Sequence, residues 1–268
     1  MDLLAAALLG VVQGLTEFLP VSSSGHLILA RAFFGWDADR FGLAFDVACH
    51  VGTLLAVVLY FRQDVVAMIR AVPGALSGSP GEYERLVRLI VAGTLPIVVV
   101  GLLFGGWLEG VRSPAVVAAT LALGGAGLII AERLGAQSRD ETTIGYGEAV
   151  ALGVAQASAL IPGISRSGAT LTLGLLLGLK RAGAARFVFL LSLPAVLAAA
   201  AREALKLREV GVEAIPVTLF AVGLIVSAVV GYLTIKFFLK YLANHSLAVF
   251  AYYRFALAAV TLVWLATR

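Results

Sequence analysis

The chain has 268 residues, of which 60% are hydrophobic and 13% charged, and its mean hydropathy is +0.99. These values exclude an ordinary soluble domain and indicate a membrane protein with room for several spans of about 20 residues each. The net charge of +4 does not indicate nucleic-acid binding, because the basic residues cluster in short connections between apolar segments. The single cysteine, Cys49, excludes an intramolecular disulfide and a CxxC site.

The first apolar segment, from Leu3 to Ala30, is interrupted by a polar motif. This motif, QGLTEFLPVSSSGH, runs from Gln13 to His26, and the apolar arms on its two sides are each too short to cross about 30 Å of hydrocarbon. Pro20 disfavours helix in the residue before it, and the serines can cap a second helix. The pattern predicts a broken helix that enters and leaves the membrane on one side. Since Asp2 stands where a signal peptide would carry Lys or Arg, we expect the N-terminus to be retained.

Six further apolar segments are long enough to span the membrane. Three precede the polar connection at 131–148: Leu43–Phe61, Leu86–Trp107 and Pro114–Ile130. A second polar motif, PGISRSGAT, then interrupts another apolar stretch from Pro162 to Thr170. Three more apolar segments follow it: Ala184–Ala201, Pro216–Ile235 and Leu247–Ala266.

The two halves of the chain carry matching short sequences at one constant spacing. LGVVQ at Leu9–Gln13 matches LGVAQ at Leu152–Gln156, and VSSSG at Val21–Gly25 matches ISRSG at Ile164–Gly168, both 143 residues apart. Two matches at one offset indicate an internal repeat, here residues 1–135 and 144–268 of a single membrane domain.

The number of crossings gives the relative orientation of the two repeats. With one re-entrant pair and three spans per half, an odd number of crossings separates the motifs, so the halves are inverted and the motifs meet near the midplane. We predict an all-α polytopic membrane protein with an inverted-topology repeat, six transmembrane helices and two re-entrant helix pairs. The alternative, in which each motif segment spans the membrane fully, gives a parallel repeat.

Basic residues are unevenly divided between the two faces that the re-entrant arrangement defines. Eleven lie on one face: Arg62, Arg70, Arg85, Arg88, Arg133, Arg139, Lys180, Arg181, Arg186, Lys236 and Lys240. Seven lie on the other: Arg31, Arg40, Arg112, Arg202, Lys206, Arg208 and Arg268. The richer face is expected to be cytoplasmic, which places both termini and the mouth of the first motif outside.

The first motif contains two pairs of polar residues at helical spacing. Gln13 and Glu17, four apart, share one helix face and form a partial site for Mg²⁺ or Ca²⁺; the alternative is a capping or interhelical hydrogen-bonding pair. Ser23 and His26, three apart, place a hydroxyl next to an imidazole, which suits nucleophilic attack with a general base. The alternative role for Ser22, Ser23 and Ser24 is helix capping.

The second motif has the features of an anion site. Pro162 and Gly163 break the first half-helix, so that the next half-helix begins with free amide groups near Arg166 and the flanking Ser165 and Ser167. A guanidinium at such a helix end suits a phosphate or diphosphate. The alternative is an ion pair between Arg166 and Glu17, and both interpretations bring the two motifs together.

Three other polar residues occur within apolar segments. Asp46 and His50 are four apart; we expect His50 to lie near the membrane surface and leave Asp46 open between the site and the surface. Arg254 in the last segment is expected to hydrogen-bond between helices.

The two motifs together resemble those of the undecaprenyl-diphosphate phosphatase family, also known as the bacitracin-resistance protein family. The resemblance covers nearly the whole chain and implies a bacterial inner-membrane enzyme that dephosphorylates the C55 isoprenyl diphosphate carrier of cell-wall synthesis. The family's acidic element falls on Gln13 and Glu17, where glutamine lowers the charge available to a metal. Its serine-rich element and its P-G-x-S-R-S element fall on these residues: Ser22, Ser23, His26, Pro162, Gly163, Ser165, Arg166 and Ser167.

The resulting hypothesis assigns a role to each site residue. Ser23 attacks the terminal phosphorus and His26 takes its proton, while Arg166 and Glu17 act as catalytic residues on the phosphates. The expected metal ligands, for Mg²⁺ or Ca²⁺, are Gln13 and Glu17, and the expected substrate-binding residues are Ser22, Ser24, Gly163, Ser165, Ser167 and Thr170. A competing assignment makes His26 the nucleophile.

The resemblance implies a polyprenyl diphosphate substrate, which we expect in an outward-opening cavity surrounded by membrane lipid, and we expect no nucleic-acid partner. The family resemblance makes a homodimer plausible. The rival function is a lipid-phosphate transporter or flippase, because inverted repeats with broken helices are typical of carriers. A carrier would need no nucleophile, which the SSSGH sequence at 22–26 offers.

Overall fold

The computed structural model describes residues 2–36, 41–210 and 217–268, and within them the chain is helical. The helices are α1 (Asp2–Thr16), α2 (Ser23–Phe34), α3 (Leu43–Tyr60), α4 (Arg62–Leu76), α5 (Glu82–Gly110), α6 (Pro114–Leu134), α7 (Tyr146–Ser158), α8 (Arg166–Leu176), α9 (Arg181–Val210), α10 (Val217–Leu242) and α11 (Ala248–Ala266). Some groups used in the predictions lie outside the described part. They are Arg40 and the side chains of Lys206 and Arg208, from the count of basic residues, and Pro216, the predicted start of an apolar segment.

Several helices are long and apolar enough to cross a membrane. Within the described residues these are α5, α6, α9, α10 and α11, and a sixth span is obtained if α3 and α4 count as one bent pair. The prediction of an all-α polytopic membrane protein is therefore confirmed.

Helix α4 corrects the prediction that the chain after Phe61 is only a connection. It leaves α3 at an angle of 88° and packs along α5, burying Ala71 and Ala75. Pro73 is tolerated because it lies in the last turn of α4, where its clash with the preceding turn affects few remaining hydrogen bonds.

The two polar motifs interrupt their helices in the same way. Ser22 caps α2 and Ser165 caps α8, and both adopt the left-handed region at φ 75°. The Ser22 hydroxyl accepts a hydrogen bond from the Gly25 amide at 3.3 Å, and the Ser165 hydroxyl accepts one from the Gly168 amide at 3.0 Å. The predicted breaks are thus present, with matching caps 143 residues apart.

Helix packing also relates the two halves. Helix α1 packs against α10 as α7 packs against α5, and α6 packs against α11. The two breaks meet between these pairs, where the fully buried Arg254 of α11 contacts both. Its guanidinium donates to the carbonyls of Pro20 at 3.1 Å, Gly163 at 3.0 Å and Ile164 at 3.0 Å. The prediction that Arg254 bonds between helices is confirmed.

Candidate active site

The centre of the site is the carboxylate of Glu17, which follows α1 and is 7% exposed. Its Oε2 accepts hydrogen bonds from the Ser23 hydroxyl at 2.6 Å and from the Gln13 amide nitrogen at 2.8 Å. Its Oε1 forms an ion pair with Arg166 of α8. The structure thus joins the two motifs through Glu17 and Arg166, as both interpretations of the second motif required.

His50 belongs to this cluster, and the expectation that it lies near the surface is wrong. Its Nδ1 lies 2.6 Å from the Gln13 amide nitrogen and 3.2 Å from Glu17 Oε2. Helix α3 packs against α1 and brings this imidazole to the carboxylate. Asp46, one turn earlier on α3, instead pairs with Arg31 at 2.6 Å and with Arg112 at 3.0 Å, away from the cluster.

The break geometry explains why the polar groups face one another. The capped starts of α2 and α8 hold Ser23 and Arg166 in the first position of each helix. A hydrogen bond from the Ser167 hydroxyl to the Leu19 carbonyl, at 3.0 Å, links the second break to the first. Because Arg166 is the first residue of α8 and pairs with Glu17, the electropositive N-terminal end of α8 lies at this carboxylate.

A cavity of about 270 Å³ opens from this cluster. Its polar end is formed by Glu17, Ser22, Ser23, Ser24, His50, Ser165 and Arg166. Its apolar wall comes mainly from α5 and α9, with Ile97, Val98, Leu102, Ala195, Val196 and Ala199. A charged group can therefore lie at Arg166 and Ser23 while an apolar chain contacts the helices.

His26 does not have the position predicted for it. Its ring nitrogens lie 2.7 Å from the Ser22 carbonyl and 2.7 Å from the hydroxyl of Tyr253 on α11, and it is not part of the cavity wall. The expected contact between the Ser23 hydroxyl and this imidazole is replaced by the contact with Glu17. The base nearest to Ser23 is thus a carboxylate.

Three residues predicted to bind substrate also lie outside the cavity wall. Gly163 packs against Thr120 and adopts φ 91°, so it shapes the break, and Ser167 is engaged with Leu19. The Thr170 hydroxyl, fully buried, donates to the Arg166 carbonyl at 2.6 Å. In this structure they support the second motif from behind, whereas Ser22, Ser24 and Ser165 do line the cavity.

The described residues contain no group of three His, Cys, Asp or Glu side chains that could hold a metal ion. The cluster does contain a buried amide oxygen, Gln13 Oε1, that accepts no hydrogen bond from the described residues. This oxygen and the Glu17 carboxylate are two hard ligands of the kind that Mg²⁺ and Ca²⁺ prefer, and a diphosphate with water would complete the coordination shell. The residues present fit a cation that arrives with a phosphate ligand.

Comparison with known proteins gives consistent relationships across the whole chain. The family model described as bacitracin resistance protein BacA matches residues 6–260. A Rubrobacter xylanophilus protein named undecaprenyl-diphosphatase is 52% identical over 264 residues, which cover 97% of each chain. A Stutzerimonas stutzeri protein named undecaprenyl-diphosphatase 2 is 48% identical over 98% of each chain. A Trichlorobacter lovleyi undecaprenyl-diphosphatase is 45% identical over 96% of this chain and 94% of its own.

Proposed function

The chain belongs to the bacitracin resistance protein BacA family, and from this we propose that it is an undecaprenyl-diphosphatase. It hydrolyses undecaprenyl diphosphate to undecaprenyl phosphate and inorganic phosphate, which recycles the lipid carrier for cell-wall synthesis and confers bacitracin resistance. The observation that carries the chemistry is the 2.6 Å hydrogen bond from Ser23 to Glu17, with Arg166 on the other oxygen of the same carboxylate.

We propose a two-step phosphoryl transfer at this cluster. Arg166 exchanges Glu17 for the terminal phosphate, which matches the bidentate geometry of a guanidinium. The Ser23 oxygen attacks the terminal phosphorus and gives its proton to Glu17, while the anhydride bond breaks and undecaprenyl phosphate leaves. Glu17 passes that proton to the departing undecaprenyl phosphate; it then takes a proton from the water that attacks the phosphoserine and returns it to the Ser23 oxygen as the P–O bond to Ser23 breaks and inorganic phosphate is released.

The other residues of the cluster orient these groups. Gln13 and His50 contact Glu17 and fix the carboxylate against Ser23. We propose that Glu17 and the free oxygen of Gln13 also hold a divalent cation, Mg²⁺ or Ca²⁺, that enters with the substrate. When bound, it would neutralise charge on the phosphate oxygens.

We further propose that the two halves form an inverted repeat in the inner membrane, with the breaks as re-entrant pairs and the cavity opening to the outer side. The matching caps at Ser22 and Ser165 and the paired packing of α1 with α10 and α7 with α5 support this arrangement. The predicted repeat boundaries, 1–135 and 144–268, are part of the same proposal, and a homodimer is proposed from the family resemblance alone.

The function is tested by phosphate release from C15 and C55 prenyl diphosphates by the purified protein in detergent, with Mg²⁺ or Ca²⁺. We expect release by the wild type and by Ser158→Ala, whose hydroxyl bonds only within α7 among the described residues. Arg166→Gln should lower kcat/KM by at least about a hundredfold, because it removes the charged phosphate ligand. Tight binding of prenyl diphosphate without any release would contradict the phosphatase and favour the lipid-phosphate transporter.

The nucleophile is tested by trapping the phosphorylated protein. Rapid quenching during a single turnover should give phosphate on the peptide that contains Ser23. A phosphorylated His26, stable in alkali and lost in acid, would overturn the assignment.

A further inference from the structure

A second guanidinium lines the cavity, at the end remote from Arg166. Arg202 on α9 is exposed, and the cavity-lining residues of α9 change from buried Ala195 to exposed Ala198 and Ala199 along the way to it. Arg202 follows Ala195 by seven positions along the helix, a rise of about 10 Å. Arg202 therefore lies at the mouth of the cavity and Arg166 at its closed end.

The backbone of α5 forms a seat for this guanidinium. Arg202 donates to the Gly101 carbonyl at 3.5 Å and lies next to Gly105, one turn further along. A Cβ atom at position 105 would lie 2.5 Å from Nη2 and 2.7 Å from Nη1 of Arg202. The neighbouring Gly106 faces open space, since a Cβ there would meet nothing within 4 Å. Only Gly105 thus makes room for the guanidinium.

The ion pairs within the described residues do not include Arg202. The ionisable groups of the cavity wall are Glu17, His50, Arg166 and Arg202, and the one carboxylate among them is paired with Arg166. No described carboxylate lies within 4.0 Å of Arg202. Two guanidinium groups and one carboxylate give the lining a positive balance, which attracts anions to the opening.

We propose that Arg202 is an anion-binding residue at the cavity mouth and that its ligand is a phosphate group. This proposal rests on the proposed function, because that reaction takes in a lipid diphosphate and releases inorganic phosphate through this opening. The ligand is either the diphosphate of the entering lipid or the inorganic phosphate that leaves. Arg202 is a binding residue that does not touch the reacting atoms, because Ser23 and Glu17 lie at the other end.

The test is equilibrium binding in detergent to the protein carrying Ser23→Ala, which prevents turnover. C15 prenyl diphosphate and inorganic phosphate are titrated separately, with and without Arg202→Gln. We expect Arg202→Gln to weaken binding of at least one ligand about threefold to tenfold, as for a charge-assisted hydrogen bond at a partly hydrated site, and high salt to reduce the difference. An effect on the diphosphate alone identifies entry, and an effect on phosphate alone identifies exit.

Two glycine variants provide a matched pair. Gly105→Ala should weaken the same ligand by about twofold to threefold, because the methyl group displaces the guanidinium while its charge stays. Gly106→Ala should bind like the parent protein. Unchanged binding of both ligands by Arg202→Gln, or equal effects of the two glycine substitutions, would overturn the proposal.

Turnover by the protein with Ser23 restored separates this proposal from the proposed function. The loss caused by Arg202→Gln should fall on KM or on phosphate inhibition more than on kcat. A wild type that releases no phosphate, together with weaker binding by Arg202→Gln, would reject the phosphatase and keep the anion site. Normal release with unchanged binding constants would reject the anion site alone.

Discussion

Replacement of Arg254 by lysine tests the contacts that hold the two helix breaks together. The guanidinium is fully buried and lies within 3.1 Å of five backbone carbonyl oxygens. They belong to Pro20, Thr120, Leu121, Gly163 and Ile164. Lysine keeps the positive charge but offers three donors on one nitrogen, so at least two carbonyls lose their contact.

The cost follows from the buried carbonyls left without a donor. The Thr120 and Leu121 carbonyls keep their hydrogen bonds within α6, so the cost falls on Pro20, Gly163 and Ile164 of the breaks. An unsatisfied buried acceptor costs about 1–3 kcal/mol, so two of these left without a donor give about 2–6 kcal/mol. For a chain of this size that loss corresponds to a decrease in melting temperature on the order of 10 °C. The breaks should also separate, which would lower phosphate release below the loss expected from stability alone.

Cys49 provides the assay, because it is the only cysteine and is fully buried. A thiol-reactive dye therefore reports unfolding during heating in detergent. Thr261→Val is the control on the same helix, since its buried hydroxyl bonds only to the Leu257 carbonyl among the described residues and its loss should cost less than about 1.5 kcal/mol. If Arg254→Lys melts within error of Thr261→Val, the reasoning about the breaks is refuted.

Three further predictions concern single side chains. Asp46→Asn removes the carboxylate that pairs with two arginines and should cost about 3 kcal/mol by dye labelling, whereas Asp140→Asn, at an exposed ion pair, should cost less than about 1 kcal/mol; equal effects would contradict this. His50→Ala should lower kcat about tenfold in the phosphate-release assay by loosening Glu17, and an unchanged kcat would remove His50 from the site. Ser165→Ala should destabilise the protein by about 1 kcal/mol more than Ser165→Gly, because both variants lose the hydroxyl cap but only alanine is strained at φ 75°; the reverse order would argue against the backbone conformation at this cap.

The meeting of the two motifs could be predicted from the sequence because it depends on short-range features. Pro20 and Pro162 stop helices locally, and the repeated VSSSG and ISRSG fix two equivalent caps. The expense of leaving Glu17 and Arg166 unpaired in a bilayer then favours their contact. These rules do not depend on how the remaining helices cross.

The features that the sequence did not reveal depend on tertiary packing. The i, i+4 spacing of Asp46 and His50 shows that they share a face of α3 but not which neighbour each meets. Glu17 contacts His50, whereas Arg31 and Arg112 pair with Asp46. In the same way His26 turns to Tyr253, which lies 227 residues away. The Pro-Gly pair at 73–74 is typical of a connection, whereas α4 is stabilised by packing along α5, which buries Ala71 and Ala75.

The measurement that tests the central claim most directly is the rate of phosphate release by Ser23→Ala relative to wild type, at saturating C15 prenyl diphosphate. If Ser23 attacks phosphorus with Glu17 as its base, the rate should fall by at least about a thousandfold while the melting temperature stays within a few degrees. Release by Ser23→Ala at a rate close to wild type would contradict the account, because the 2.6 Å contact with Glu17 would then have no part in the chemistry.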